Sequence, residues 1–526
     1  MKQLTSIVIL VNSLSKAEKR HFKMETNLQA GDKKYLYLFN LIEANYSVEE
    51  IYEKFCSKYH NSNFNMAVKH LYHNLMDCLI YLHRKRDIQT KIFAAFSEAD
   101  ILFERALYDD AFAALDKIKK MSSIYEMDTL MLLARRNELK FMNALDFNNI
   151  SERQLIGKQM KIVEIMKYIR SANLHSQLYD ILKHRLFHKG YVRSDKQKDN
   201  LNDLILSELN LIANDSYKGF ETQKLHLLFQ SAYYLDSGNY KMAIRFFRTL
   251  IDLFESNKHM ILNPPIYYLQ ALTGILDSLK TTGLYKEMPF FIDKLKEITR
   301  GDYVVDFVLT VQAYIFLYQF AIAFNTGDFA GAATFISEQD EMLFKNLSLL
   351  PLDMQLDLLL TPVKLNIATG NYQEARKNMK KIISSGKLYY ALPTYRYVRL
   401  LNLLLQAELN NYDFFENEIK SIKRNIRYEK HVYITEKLLF KFIMHHHLLY
   451  QTKTREQLLK QLRKEHPKII KNKYEQQLLS FFDFISWMES KLTNRSFGEL
   501  LMSNKEEIIF GGNETSQVNG KYIPSV

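Results

Sequence analysis

The stretch that decides the fold is GNYKMAIRFF, residues 238–247, in which a turn leads into an amphipathic helix. Gly238 suits the position just past a helix end, because glycine readily adopts the left-handed backbone conformation that closes many helices. Tyr240, Ala243 and Phe247 follow at spacings of three and four residues, which places them on one face of the next helix. The stretch therefore predicts a helix, a tight turn and a second helix.

The same turn recurs along the chain. Five further turns place a small or turn residue two positions before an aromatic side chain, and they begin at Ala106, Gly283, Gly327, Gly370 and Asn410. From Tyr240 onward the turn aromatics are 45, 44, 43 and 40 residues apart, and Tyr108 precedes Tyr240 by 132 residues, three times 44. This interval predicts two additional units, with degraded turns near Asn149–Ser151 and Ser194–Lys196.

The pattern G-x-Y-x-x-A-x-x-x-F resembles the second helix of tetratricopeptide (TPR) repeats of bacterial type, and the segments after Gly327 and Gly370 are similar. The resemblance covers roughly residues 90–430. It departs from standard TPRs in its period of about 40–45 residues rather than about 34, in the missing first-helix tryptophan and in the missing terminal proline of most units. The resemblance implies an all-α fold, a right-handed α-solenoid of TPR-like hairpins with a small N-terminal helical bundle.

The composition agrees with a helical protein. The 526 residues include 16 glycines and 8 prolines, well below the average usage of about 7% and 5%, and sheet-rich folds need many of both in turns. The most apolar early run, Ile7–Val11, is short against the roughly 20 residues that a membrane span requires. The sequence therefore predicts a cytoplasmic protein with no membrane partner.

The chain divides into four regions by pattern. Short helices lie close together at the N-terminus, long amphipathic helices repeat through the middle, a basic helical stretch follows, and the last residues are polar and aperiodic. The predicted regions are an N-terminal helical bundle (1–88), a TPR-like α-solenoid (89–430), a basic helical C-terminal cap (431–510) and a disordered tail (511–526).

The N-terminal region begins helices with two capping boxes, Ser15-x-x-Glu18 and Ser47-x-x-Glu50. Helices are expected at about 34–44, 47–56 and 65–84. In an arrangement like a helix-turn-helix, the third of these would present to DNA the residues Lys69, His70, His73 and Asn74. The region carries thirteen Lys/Arg against nine Asp/Glu, a weak surplus for phosphate binding, so an end cap or docking bundle is favoured.

No catalytic, cofactor-binding or metal-binding motif is visible in the sequence. It lacks the phosphate-binding loop, the HExxH zinc pair, the GxSxG nucleophile elbow, the EF-hand loop and the CxxC pair. His445, His446 and His447 are consecutive, and successive helix residues point about 100° apart, so one helix does not bring all three to one metal. Cys56 and Cys78 are expected to be free thiols. The sequence therefore predicts no enzyme, no cofactor and no metal.

The expected function is a non-catalytic scaffold that binds a protein or peptide on the concave face of the solenoid. The alternative is a transcription regulator, in which a TPR-like domain that senses a ligand or peptide controls a helix-turn-helix-like N-terminal domain. No site residues are assigned. The positions eight residues before four turn aromatics suit helix packing as well as ligand contact, and they are Ala232, Ala321, Lys364 and Leu404.

Nucleic acid is a less favoured partner, although residues 420–475 carry fifteen Lys/Arg against five Asp/Glu. We expect these charges to form solvated helix surface, so that duplex DNA and single-stranded RNA bind no tighter than a Kd of about 10⁻⁶ M at physiological salt. Fluorescence anisotropy from low to physiological salt measures this, with simultaneous charge reversal of Lys423, Arg424 and Arg427 for comparison. Sub-micromolar, sequence-dependent binding would favour the regulator instead.

Overall fold

The computed structural model of the protein is 84% helical, and no strand occurs among the residues that it describes. The all-α class predicted from the glycine and proline content is therefore confirmed. The predicted tail, residues 511–526, lies outside the described residues. These are residues 2–28, 33–44, 46–60, 63–189, 192, 194–213, 219–261, 264–301, 303–429 and 433–503.

Five helices come first: α1 (Lys2–Ser13), α2 (Lys16–Leu28), α3 (Lys34–Glu43), α4 (Val48–Lys58) and α5 (Phe64–Arg86). The last three lie close to their expected bounds. Both capping boxes form, since each serine N–H donates to the glutamate carboxylate at 2.8 Å and each glutamate N–H donates to the serine hydroxyl at 3.2 Å. The five helices share a core of their own, which includes Val11, Phe22, Phe39, Phe55 and Leu71.

Longer helices follow. The first of them are α6 (Ile88–Glu104), α7 (Tyr108–Ile124), α8 (Asp128–Ala144), α9 (Glu152–Lys189), α10 (Asp195–Asp199), α11 (Asn202–Ala213), α12 (Phe220–Asp236) and α13 (Tyr240–Ser256). The middle of the chain forms α14 (Ile266–Thr281), α15 (Met288–Ile298), α16 (Val305–Asn325), α17 (Phe329–Gln339), α18 (Leu352–Ala368), α19 (Tyr372–Ser384), α20 (Gly386–Tyr389), α21 (Tyr395–Glu408) and α22 (Tyr412–Glu429). The last helices are α23 (Ile434–Met444), α24 (Thr452–Lys471), α25 (Glu475–Phe481) and α26 (Phe484–Thr493).

All six predicted turns reverse the chain in the same way. In each, the amide of the residue after the turn residue donates to the carbonyl oxygen five positions earlier, as from Asn239 to Tyr234 at 2.9 Å. The next helix begins at the turn aromatic, except that a 3₁₀ turn at Tyr285 comes before α15. The turn residues all have positive φ, with values of 61° at Ala106, 75° at Gly238, 72° at Gly283, 79° at Gly327, 78° at Gly370 and 56° at Asn410.

The helices of the middle region pack mainly against their neighbours in sequence. Phe247 illustrates the close fit between hairpins, because its ring fills the space above Gly274 of α14, where an added Cβ would lie 2.1 Å from the ring. One buried core extends from Tyr179 to Leu501, and a second lies between Ile92 and Phe141. Consecutive helices that pack in neighbouring pairs are compatible with a helical repeat protein.

The two units predicted between Tyr108 and Tyr240 differ in outcome. The turn near Asn149–Ser151 forms, with a φ of 61° at Asn149, and α9 begins there. The hairpin turn predicted at Ser194–Lys196 does not form, since Ser194 instead caps the five-residue helix α10. Helix α9 runs for 38 residues, because residues 158–189 contain no glycine or proline to end it.

Helix α16 is the one described helix that is long and apolar enough to cross a membrane, with 21 residues and a mean hydropathy of 1.7. The sequence-based expectation weighed only the run Ile7–Val11 and missed this helix. It packs against α14, α15, α17 and α18, and its buried side chains include Phe316, Phe320 and Phe324. The central helix of a packed array has the same composition.

The repeat register is tested by overpacking. Ala243 and Ala375, three residues after turn aromatics, have no exposed surface. Replacement of either by tryptophan should reduce the free energy of unfolding by about 1–3 kcal/mol, because the ring has no space between the helices. Lys241→Trp and Gln373→Trp, at exposed positions on the same helices, are the controls in urea unfolding. Equal losses at buried and exposed positions would show that the register is wrong.

Candidate functional site on the first helices of the hairpins

Four consecutive hairpins begin with helices that are apolar on nearly all sides, α12, α14, α16 and α18. On α18, Leu356 and Leu358 have no exposed surface. A helix of this kind is held inside the core, so each polar side chain on it is an exception. These exceptions lie in strips, as Asp353, Asp357 and Lys364 do at i, i+4 and i+11.

The polar strips of neighbouring helices form one surface, which we name the charged face. Its members lie near enough to alter one another's pKa values, although they come from helices about 40 residues apart in sequence. The charged face comprises Lys183 of α9, Asp236 of α12, Asp277 and Lys280 of α14, Tyr314 and Tyr318 of α16, and Asp353, Asp357 and Lys364 of α18.

Two carboxyl groups on the charged face resist ionisation. Burial raises the pKa of Asp357 to about 6, and repulsion from Asp353 and Asp277 adds to this effect against the attraction of two lysines. Burial also raises the pKa of Asp236 to about 6, again with a contribution from Asp277. Carboxylates that are half-buried beside other carboxylates reduce stability, and such groups cluster at binding sites.

The lysines of the charged face respond to the same surroundings. Burial lowers the pKa of Lys364 to about 8, although Asp357 acts in the opposite direction. Burial acts likewise on Lys280, but the Asp277 carboxylate, 3.1 Å from its ammonium group, raises the pKa of Lys280 overall. Near neutral pH this surface therefore holds closely spaced charges of both signs.

Two tyrosines on α16 complete the charged face. The Tyr318 hydroxyl donates to the backbone oxygen of Thr273 at 3.0 Å, and its ring stacks on Tyr314 with centroids 6.2 Å apart. Burial raises the pKa of Tyr314, and the carboxylates of α14 and α18 raise it further. The Tyr314 hydroxyl is therefore neutral and faces several carboxylates, so it offers a hydrogen-bond donor among acceptors.

One edge of the charged face is closed by residues 472–503, which we name the C-terminal segment. Its Phe481 ring lies 3.8 Å from the Lys364 ammonium group and 5.2 Å from the Tyr397 ring. Close contact of an ammonium group with an aromatic face is favourable, more so where water is excluded. The side-chain amide of Gln477 reaches the backbone oxygen of Asp236 at 3.5 Å, a weak hydrogen bond.

The C-terminal segment also lies along the repeat turns. Gly498 approaches Gly327 so closely that a Cβ on Gly327 would be 2.9 Å from the Gly498 oxygen. The Lys491 ammonium group donates to the hydroxyl of Tyr372 at 2.6 Å and pairs with Glu408 at 2.9 Å. The turn pattern therefore serves two purposes, since it reverses the chain and also provides a contact surface for a distant segment.

Of the four positions weighed in the sequence, only Lys364 belongs to the charged face. Leu404 has no exposed surface and Ala232 is also buried, so both pack between helices, and Ala321 is half-buried. Sequence reasoning missed the aspartates because each one alone resembles ordinary helix surface. The usable signal was their position in otherwise apolar helices, where Asp277 and Lys280 interrupt the sequence ILDSLK.

Two other polar surfaces predicted from the sequence are present. Lys69, His70 and His73 are exposed on α5, as expected, whereas Asn74 is half-buried and its amide donates to the His70 oxygen at 2.9 Å. In the basic stretch 420–475, two of the five acidic residues are buried. Glu436 pairs with Arg396 at 2.6 Å, and Glu475 accepts from the Thr435 amide at 3.2 Å.

No family model matches the chain, and no curated protein matches it. The geometry of the charged face therefore carries the functional argument. Carboxylates, ammonium groups and a phenol hydroxyl on one half-buried surface provide both hydrogen-bond acceptors and donors. Such a surface is suited to hold a polar, charged chain.

The unusual carboxyl groups give a pH-dependent prediction. Asp357→Asn should raise the free energy of unfolding by about 1–2 kcal/mol at pH 8, and by much less at pH 4.5. The folded-state pKa of Asp357, about 6, lies above the ordinary value, so its ionisation costs stability as the pH rises through 6, and the neutral amide removes that cost. Urea unfolding at both pH values measures the difference.

Asp293→Asn on α15 is the matched control for this prediction. The Asp293 side chain is 67% exposed, and the substitution should change stability little at either pH. A loss of stability at pH 8 in Asp357→Asn, or an equal gain at both pH values, would contradict the account of the charged face.

Proposed function

We propose that the protein is a non-catalytic scaffold that binds a segment of a partner protein or peptide on the charged face. The observation that carries the proposal is the position of Asp277, Asp353 and Asp357 around the Tyr314 hydroxyl, on helices that are otherwise core. Apolar side chains at these positions would be more stable. A surface that keeps destabilising charges suits a ligand that completes their interactions.

The chemistry of the charged face favours a basic polypeptide segment. It holds four carboxylates, Asp236, Asp277, Asp353 and Asp357, against three ammonium groups, so a Lys or Arg side chain of the ligand would offset the excess. Remaining carboxylate oxygens accept from backbone N–H groups, and lysines donate to backbone carbonyls. Neighbouring helices are about 8–10 Å apart, so a ligand across four helices would span about 24–30 Å, or eight to nine extended residues.

The contacts of the C-terminal segment support a polypeptide ligand. This segment lies beside the charged face through an aromatic ring on Lys364 and amide contacts near Asp236. The same donors and acceptors suit a segment of another chain. We further infer that the repeats are TPR-like, that they form a right-handed solenoid, and that the protein works in the cytoplasm, where its two free cysteines stay reduced.

A displayed library of nine-residue peptides tests the proposal. The full-length protein should select peptides enriched in Lys and Arg, and a selected peptide should bind at least about tenfold more weakly to the triple variant Asp277→Asn, Asp353→Asn, Asp357→Asn, because each lost carboxylate removes a charge-assisted hydrogen bond. Fluorescence anisotropy with the labelled peptide measures both affinities. Circular dichroism verifies that the variant is folded.

The matched control removes three carboxylates from second helices of hairpins, Asp293→Asn, Glu374→Gln and Glu416→Gln, whose side chains are 52–67% exposed. Peptide affinity should be unchanged in this control. If no peptide is enriched over a display lacking the protein, or if both triple variants weaken binding equally, the charged face is not the binding site.

A further inference from the structure

Three side chains that commonly bind metals converge between α2 and α5, away from the charged face. His21 and Glu25 lie one turn apart on α2, and Cys78 lies on α5, 57 residues later in the chain than His21. The Cys78 sulfur is 3.4 Å from His21 Nδ1, and that nitrogen is 3.9 Å from Glu25 Oε2. All three donor atoms lie within 4.8 Å of one another.

These separations fit one tetrahedral zinc ion. Zinc binds thiolate sulfur at about 2.3 Å and imidazole nitrogen at about 2.0–2.1 Å, so tetrahedral geometry separates sulfur from nitrogen by about 3.5 Å. The distance between Cys78 Sγ and His21 Nδ1, 3.4 Å, agrees with this value. The Glu25 oxygen must move closer by about half an ångström, and its side chain, 47% exposed, is free to rotate.

We propose that His21, Glu25 and Cys78 bind a zinc ion that joins α2 to α5, with water in the fourth position. A site with one cysteine, one histidine and one carboxylate provides ligand types that zinc accepts. The neighbouring Glu18 is not free for this role, because its carboxylate accepts from the Ser15 amide in the capping box. The Tyr81 ring stacks on His21 at 5.9 Å and closes one side.

The state of the thiol agrees with a site that a cation would complete. Burial raises the pKa of Cys78 to about 12, and the carboxylates of Glu25 and Glu18 raise it further. Without a metal the thiol is therefore protonated at neutral pH. Metal binding would release this proton and would place a double positive charge between two carboxylates, a histidine and a thiolate.

Cobalt(II) provides the test, because a thiolate bound to cobalt gives a charge-transfer band in the near ultraviolet, which histidine and carboxylate ligands do not give. Full-length protein, reduced and freed of metal by a chelator, should develop this band with one equivalent of cobalt, and zinc should displace it. This readout separates the site from the surface cluster at His445–His447, which contains no sulfur.

Cys56→Ser is the matched control, because Cys56 is the other free thiol and lies on α4. The band should persist in Cys56→Ser and vanish in Cys78→Ser. Glu25→Gln, at an exposed position that should not disturb folding, should weaken zinc binding at least about tenfold in a chelator competition. No band in the unmodified protein, a band that survives Cys78→Ser, or unchanged zinc affinity in Glu25→Gln would overturn the proposal.

Discussion

Each hairpin of the array depends on one residue that adopts a left-handed backbone conformation at the end of its first helix. This residue lets the following amide reach back to the carbonyl five positions earlier, so the chain reverses within a few residues. Glycine fills the position at four of the six turns, because it adopts positive φ without the steric cost that a Cβ brings. With the turn fixed, the aromatic residue two positions later begins the second helix, and Ala243 or its equivalent faces the first.

The packing that results encloses the first helices almost completely, and this enclosure gives the charged face its properties. Aspartates on an exposed helix would ionise without cost, whereas Asp236 and Asp357 stand beside other charges on partly desolvated helices. Stability and binding then make opposite demands on the same residues, as is common at functional sites. The basic surface of residues 420–475 has a different origin, since Glu436 and Glu475 are buried and leave the lysines and arginines around them unbalanced.

The C-terminal segment shows how distant parts of the chain stabilise the array. A repeat array has two ends, and each end leaves an apolar surface that needs a cover. Here the segment covers more than an end, because Gly498 meets the turn at Gly327 and Lys491 meets Tyr372. The turn glycines make this possible, since a side chain at Gly327 would keep the two backbones apart. The α-helical array and its edge are therefore closed by the same chain that forms them.

The sequence by itself determined the helical class, the six turns and the repeat interval, because each of these depends on residues within ten positions of one another. It did not determine where the interval would fail, since α9 continues through the predicted turn wherever no residue stops it. The charged face was decided only by tertiary structure. Its aspartates are about 40 or 80 residues apart, and their pKa values depend on burial between neighbouring helices. The same holds for His21, Glu25 and Cys78, because only the packing of α2 against α5 brings the sulfur to the imidazole.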